Sequence, residues 1–190
     1  KIMSLDLVWK HSLLSHNDIK QPILDCIDRY EQRGECPDPV TKTDYYDETI
    51  HQIPEYMKIF LENNGANLLR ESICNKYWAS SFSITGSWFQ QYHNNDFHGW
   101  HMHSNSNISI SYLLELDDSA HSTEFVDIER NQTFQLDVCE GDVIIFPSHI
   151  MHRSPLIKSD NRKTTIAINL NLGDVDLNKV NLIDPIFNYE

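Results

Sequence analysis

Arg162-Lys163-Thr164-Thr165-Ile166-Ala167-Ile168-Asn169-Leu170-Asn171-Leu172 is the stretch whose pattern decides the fold. Ile166, Ile168, Leu170 and Leu172 alternate with Thr165, Ala167, Asn169 and Asn171. Successive side chains of an extended chain point to opposite faces, so this period of two predicts a strand. Working back along the chain, Ile108, Ile110, Tyr112, Leu114 and Leu116 alternate in the same way with Ser109, Ser111, Leu113 and Glu115, which predicts a half-buried strand. Shorter strands are predicted around 123–128, 133–138 and 142–146. The aromatic and β-branched run from Trp78 to Tyr92 predicts another, broken by a turn at Gly86. Strands that follow one another without intervening helices argue for a sandwich or barrel.

The first third has a different period. Ile23, Leu24, Ile27 and Tyr30 recur at helical spacing after Pro22, which suits a first turn, and Gly34 offers a stop. A second helix is predicted from Pro54, with Met57, Phe60 and Leu61 on one face and an end by Asn63-Asn64-Gly65; Cys36-Pro37-Asp38-Pro39 between the two is loop. The expected organisation is one domain over 1–190: a mainly helical support over 1–76, a strand-rich core over 77–172 and an acidic, turn-rich tail over 173–190.

A chain of 190 residues supports one proper core, and 40% hydrophobic with 23% charged residues is ordinary globular composition. The 28 acidic against 15 basic residues, a net charge of -13, oppose general nucleic-acid binding, which needs clustered cations. No apolar run approaches the ~18–20 residues that span a bilayer, and Lys1-Ile2-Met3-Ser4 lacks the layout of a signal peptide. Cys26, Cys36, Cys74 and Cys139 are scattered, with no C-x-x-C pair, and read as free thiols of a cytoplasmic protein. Edge strands of such sheets can pair, so an oligomer is possible, although no feature supports it.

The chemistry concentrates in two windows. In Trp100-His101-Met102-His103 an extended backbone projects both imidazoles from one face and turns Met102 away. Further on, the turn Glu140-Gly141-Asp142 leads through an apolar strand to Pro147 and then His152. Two strands of a sandwich can bring His152 to His101 and His103. Arg162 follows ten residues later. Three protein ligands on one face of an octahedral iron leave three positions for a chelating 2-oxo acid and O2. The far carboxylate of 2-oxoglutarate then needs a fixed cation, and a guanidinium fork suits it, with Thr164 on the same strand face as a further hydroxyl donor.

The segment from about Ser87 to Leu172 resembles the 2-oxoglutarate/iron(II) dioxygenase superfamily. It is most like the bacterial and phage group with an H-x-H, a Ser- and Tyr-containing strand, a Gly-Asp turn, Phe-Pro-Ser, a histidine and then an arginine. Here these are His101-Met102-His103, Ser109 to Tyr112, Gly141-Asp142, Phe146-Pro147-Ser148, His152 and Arg162. The resemblance implies a double-stranded β-helix (a cupin-like jelly roll) with N-terminal helices packed on it. It also implies iron(II) on His101 and His152, 2-oxoglutarate on Arg162, and Tyr112 on the co-substrate. The activity implied is hydroxylation of a small molecule or peptide. The chain departs from the pattern at His103, where most members have a carboxylate. Either His103 completes a site of three imidazoles, or only His101 and His152 bind; Asp96 is the nearest acidic candidate. His98, His149 and Trp100 are expected around the rim. The competing assignment is a cupin-like metal enzyme or sensor without 2-oxoglutarate, in which Arg162 has no role.

Overall fold

The alternating segments form two antiparallel sheets in a computed structural model that describes residues 7–32, 36–47, 52–176 and 178–179. The larger sheet has six strands in the order β1 (Trp9–Ser12), β8 (Asp142–Pro147), β5 (Ile108–Glu115), β10 (Lys163–Val175), β3 (Ala79–Tyr92), β2 (Lys42–Thr43). The smaller has four: β4 (His98–His101), β9 (His152–Ser154), β6 (Glu124–Asp127) and β7 (Gln132–Gln135). The architecture is the jelly roll with N-terminal helices that the sequence implied. Strands β1 and β2 were not foreseen, being too short to show a period, whereas β4 and β9 carry the extended histidine segments that the sequence suggested.

Apolar side chains occupy two layers. Ile166, Ile168 and Leu170 of β10, with Ile108, Ile110 and Leu114 of β5, pack outward against Ile23, Ile27, Met57 and Phe60 of the helices. On the inner face Leu113, Ile144 and Phe146 meet Phe125 of the small sheet. Strand β5 is therefore buried on both faces rather than half-buried: Ser109 and Leu113 of the opposite phase are as covered as its isoleucines. Helices cover one side and a second sheet the other, which a single strand's pattern does not reveal.

The helices begin and end differently from expectation. α1 runs His16–Arg29 and carries Pro22 in its interior rather than at its first turn. Burial of His16 and Ile19 extends the helix backwards, while Asp18 and Pro22 stay exposed. The Asp18 carbonyl, which proline cannot serve, faces water. Gly34, the expected stop, lies outside the described residues. α2 (Glu55–Phe60) starts after Pro54 as expected. Asn63 and Asn64 then break the helical backbone, with Asn64 at φ 71°. The chain re-enters helix at once as α3 (66–77), which was not anticipated. Among the described residues no helix is long and apolar enough to cross a membrane.

Gly86 does not turn the chain. β3 continues through it, and the ladder to β10 slips there, pairing Asn169 with Gly86 but Leu170 with Ile84. Thr85 is the extra residue of a bulge, a common role for glycine in a strand.

The turn before β8 is where one glycine is indispensable. Gly141 has φ +89°, and a Cβ there would lie 2.8 Å from His16 Cγ. His16 is in turn held by the Tyr112 hydroxyl at 2.8 Å, so α1 presses on the turn that launches β8. Gly141→Ala is expected to lose about 1–3 kcal/mol of stability, read as a lower denaturation midpoint with an unchanged slope.

Candidate metal centre and its cavity

His101 closes β4, His152 opens β9, and the two pair directly across the ladder. Their ring centroids lie 4.2 Å apart. His103 follows two residues beyond His101, where its N–H donates to the Ser148 carbonyl at 2.9 Å. Its ring is 5.2 Å from that of His101 and 5.0 Å from that of His152. Met102 turns away and is 55% exposed. One ligand nitrogen from each of the three histidines falls within 4.8 Å of the others, a grouping able to hold a metal ion.

The second ring nitrogen of each imidazole sets its tautomer. Nδ1 of His101 bonds the Gly99 carbonyl (2.8 Å), that of His152 the Ile150 carbonyl (2.9 Å), and that of His103 the Asn169 Oδ1 (2.7 Å). All three partners are acceptors, so Nδ1 carries the proton and Nε2 keeps a free lone pair. Ser109 Oγ donates to the same Asn169 oxygen at 2.8 Å, which favours that orientation of the amide. Burial pushes His103 down to about 4, lowers His101 and drives His152 well below the usual histidine range; neighbouring imidazoles add to the effect at His103 and His152. Neutral imidazole is the metal-binding form.

His98 also reaches the centre. Three residues from His101 it would face away in a regular strand, but the β4–β9 register slips between them. Its ring stacks on His101 at 4.2 Å. Asp96 is turned elsewhere, accepting from the His93 N–H and the Thr41 hydroxyl. His149 lines a neighbouring cavity with Met102 and His103. Trp100 lies outside these cavities under the Arg153 guanidinium, 4.4 Å from ring to carbon.

The expected co-substrate residues are not brought to the histidines. Arg162 donates two hydrogen bonds to Glu115 (Nε at 2.7 Å and Nη2 at 3.0 Å) and one to Asp28 at 3.2 Å. Thr164 donates to the same Glu115 carboxylate. The Tyr112 hydroxyl meets His16, and its ring lies 5.3 Å from Phe60 in the helical layer. The reason is parity. Arg162 and Thr164 share the phase of Ile166 and Ile168, which face the helices, and Tyr112 pairs with Ile166.

Lys163 occupies the opposite phase. With Thr165 and Ala167 it faces Tyr92, Gln90 and Trp88 of β3, and these residues line one narrow cavity together with His101, His103 and His152. Lys163 is 1% exposed. Its ammonium donates to Ser154 Oγ at 2.7 Å and lies 4.9 Å from the Tyr92 ring centroid. Among the described residues no carboxylate pairs with it, and burial pushes it down to about 7. A buried ammonium with three donors and one partner is unsatisfied and attracts an anion. The signal was present in the small and polar phase Lys163, Thr165, Ala167, Asn169, which suits a lined cavity better than an apolar layer.

Protons compete with metal for Nε2, and a lowered histidine pKa moves that competition to lower pH. Affinity for Co(II), measured by equilibrium dialysis, is therefore expected to stay level from pH 8 to pH 6. It should fall only as the pH approaches 4. A tenfold loss between pH 7 and pH 6 would contradict the buried, neutral triad.

No family model and no curated protein matches the chain. Solved structures similar to it include a Pseudomonas putida prolyl-4-hydroxylase, with TM-score 0.58, 12% identity, and 86% of this chain and 91% of that one covered. The viral collagen prolyl hydroxylase of Paramecium Bursaria Chlorella virus-1, in its 2-oxoglutarate complex, gives TM-score 0.60 at 10% identity over 92% of this chain and 99% of that one. HygX from Streptomyces hygroscopicus, with nickel and 2-oxoglutarate bound, gives TM-score 0.66 at 9% identity over 86% and 82%. At such identities the likeness is one of fold: the chain has the jelly-roll fold that these oxygenases share.

Proposed function

We propose that this chain is a 2-oxoglutarate-dependent iron(II) dioxygenase that hydroxylates a small-molecule or peptide substrate. The observation that carries the proposal is the shared cavity: three neutral imidazoles line it together with a buried lysine that pairs with no carboxylate among the described residues. His101, His103 and His152 would hold the ion. The donor set fits, because imidazole suits iron and each ring is oriented by a hydrogen bond on its far side. Lys163, rather than Arg162, would take the far carboxylate of 2-oxoglutarate, with Ser154 beside it. The four free cysteines support a reducing, cytoplasmic setting.

Iron(II) with 2-oxoglutarate supplies O2 chemistry in which R–H, 2-oxoglutarate and O2 give R–OH, succinate and CO2. The chain's own residues position and exclude. Lys163 neutralises a carboxylate in a cavity whose low dielectric strengthens the pair. Trp88 stacks on His103 at 5.6 Å and 25°, closing one side of that ligand to water. Asn169 holds the His103 ring through Nδ1, and the Ser109, Ser148 and Ser106 hydroxyls continue that network at 2.8 Å per step.

Anaerobic titration of the protein with iron(II) and 2-oxoglutarate is expected to produce the weak visible charge-transfer band of the chelate, and air should then yield succinate. Neither band nor succinate would remove the proposal. Lys163→Met should weaken 2-oxoglutarate binding by about 100-fold, the scale for losing a buried charge pair, while Co(II) affinity stays near that of wild type. Arg162→Ala should leave 2-oxoglutarate binding unchanged. It should lower stability by about 1–3 kcal/mol, because the Glu115 carboxylate loses its fork.

A further inference from the structure

We propose that the substrate carries an organic cation, an ammonium or guanidinium group, received at the mouth of the cavity by Asp38 against Tyr45, Tyr46 and Trp88. This rests on the proposed function only in taking the histidine triad as the place where substrate is oxidised.

The mouth has a volume of about 530 Å³, within the range of ligand pockets. It adjoins the narrow cavity that ends at Lys163, the two sharing Trp88, Gln90, His98, His101 and His103 as walls. Its lining includes one carboxylate, Asp38, and neither lysine nor arginine. Asp38 accepts from the Tyr46 hydroxyl at 2.6 Å and stands 3.9 Å from His98 Nε2. Among the described residues no lysine or arginine pairs with it. Its side chain is 33% exposed and lines the mouth of the cavity.

Three aromatic rings meet beside that carboxylate. Tyr45 lies edge-on to Tyr46 (5.0 Å, 88°) and to Trp88 (5.0 Å, 67°). Tyr45 and Tyr46 remain 43% and 50% exposed. The exposed rings of Tyr45 and Tyr46 offer π surface to a compact cation next to the carboxylate, while Trp88, 6% exposed, backs Tyr45 from the interior. An anion would enter against Asp38 with no basic partner, and an apolar group would strip water from the carboxylate without replacing its contacts. The chain's net charge of -13 also draws cations towards it.

The position of Asp38 adds a constraint on the substrate. One imidazole, His98, separates it from His101. A cation held at Asp38 therefore places its aliphatic stem, not its charged nitrogen, towards the triad. The carbon to be oxidised lies a few bonds from the charge.

The test is binding, followed by ligand-observed NMR and intrinsic fluorescence, of the metal-loaded protein with probes of similar size. These are N-acetyl-lysine N-methylamide, its norleucine and glutamate counterparts, methyl glucoside, and cadaverine as a free diamine. The lysine probe or cadaverine is expected to bind at least tenfold more tightly than the three uncharged or anionic probes, with the advantage shrinking in 0.5 M NaCl. Whichever cation binds more tightly identifies a peptide side chain or a free amine as the source. Asp38→Asn should abolish the preference, Asp38→Glu should keep part of it, and Tyr45→Leu should reduce it several-fold. Equal or undetectable binding of all probes, a better glucoside or glutamate, or a preference intact in Asp38→Asn would overturn the inference. The same titrations without iron and 2-oxoglutarate separate the two proposals. Cation preference with no chelate band keeps this one and removes the oxygenase; a chelate band with no preference does the reverse.

Discussion

Strand β10 is buried on both faces, and its two-residue pleat sorts the chemistry of the chain into two layers. Towards the helices it sends Thr164, Ile166, Ile168 and Leu170. Towards the small sheet it sends Lys163, Thr165, Ala167 and Asn169, two of which end at the histidine centre by different routes. Lys163 meets the far end of the cavity, and Asn169 grips the third histidine. A slip of one residue in register would exchange the layers, burying three aliphatic groups in the cavity and the lysine among Phe60, Met57 and Ile27. The pairing of β10 with both β3 and β5 prevents it.

Two histidines of the centre are held locally and the third from across the cavity. Each histidine Nδ1 is committed to an oxygen, and two of those oxygens are backbone carbonyls two residues earlier in the chain. Such short-range bonds fix ring orientation with little dependence on distant packing. His103 is the exception. It lies beyond the end of β4, and its ring depends on Asn169 across the cavity and on a hydroxyl chain through Ser109 and Ser148. The bond from the His103 N–H to the Ser148 carbonyl joins the same loop from the backbone side. The third imidazole is thus the one most coupled to the rest of the sandwich.

Much of this was legible in the sequence, and what was missed has definite causes. The H-x-H spacing and the proline before His152 are local features, and they place three imidazoles without knowledge of the sheet order. The choice between Arg162 and Lys163 is not local. Neighbouring residues on a strand face opposite ways, and a strand covered on both sides leaves no exposed face to mark the inside. The guanidinium looked like the better carboxylate fork, and it is one, but for Glu115 of the adjacent strand. His98 was lost to a register slip that no periodicity encodes. Gly86 was mistaken for a turn because a bulge and a turn draw on the same residue. Pro22 misplaced a helix start because burial of Ile19 outweighs one missing backbone bond.

In the proposed site, charge balance links the three-imidazole set to the lysine. Three neutral imidazoles leave the two positive charges of a divalent ion uncompensated by the chain, where a carboxylate ligand would cancel one. Lys163, when protonated, adds another in the same cavity. Positive charge confined at low dielectric destabilises itself, which is why burial drives the lysine towards the neutral form. An anion that reaches both ends relieves both problems at once. A dicarboxylate chelating the ion at one end and meeting the ammonium at the other carries two negative charges into a site prepared for two or three positive ones. Its arrival would restore the proton to Lys163, since a neighbouring anion favours the charged form. A monoanion would satisfy only one end. The distribution of charge in this cavity, more than any single side chain, is what supports the proposed dianionic co-substrate.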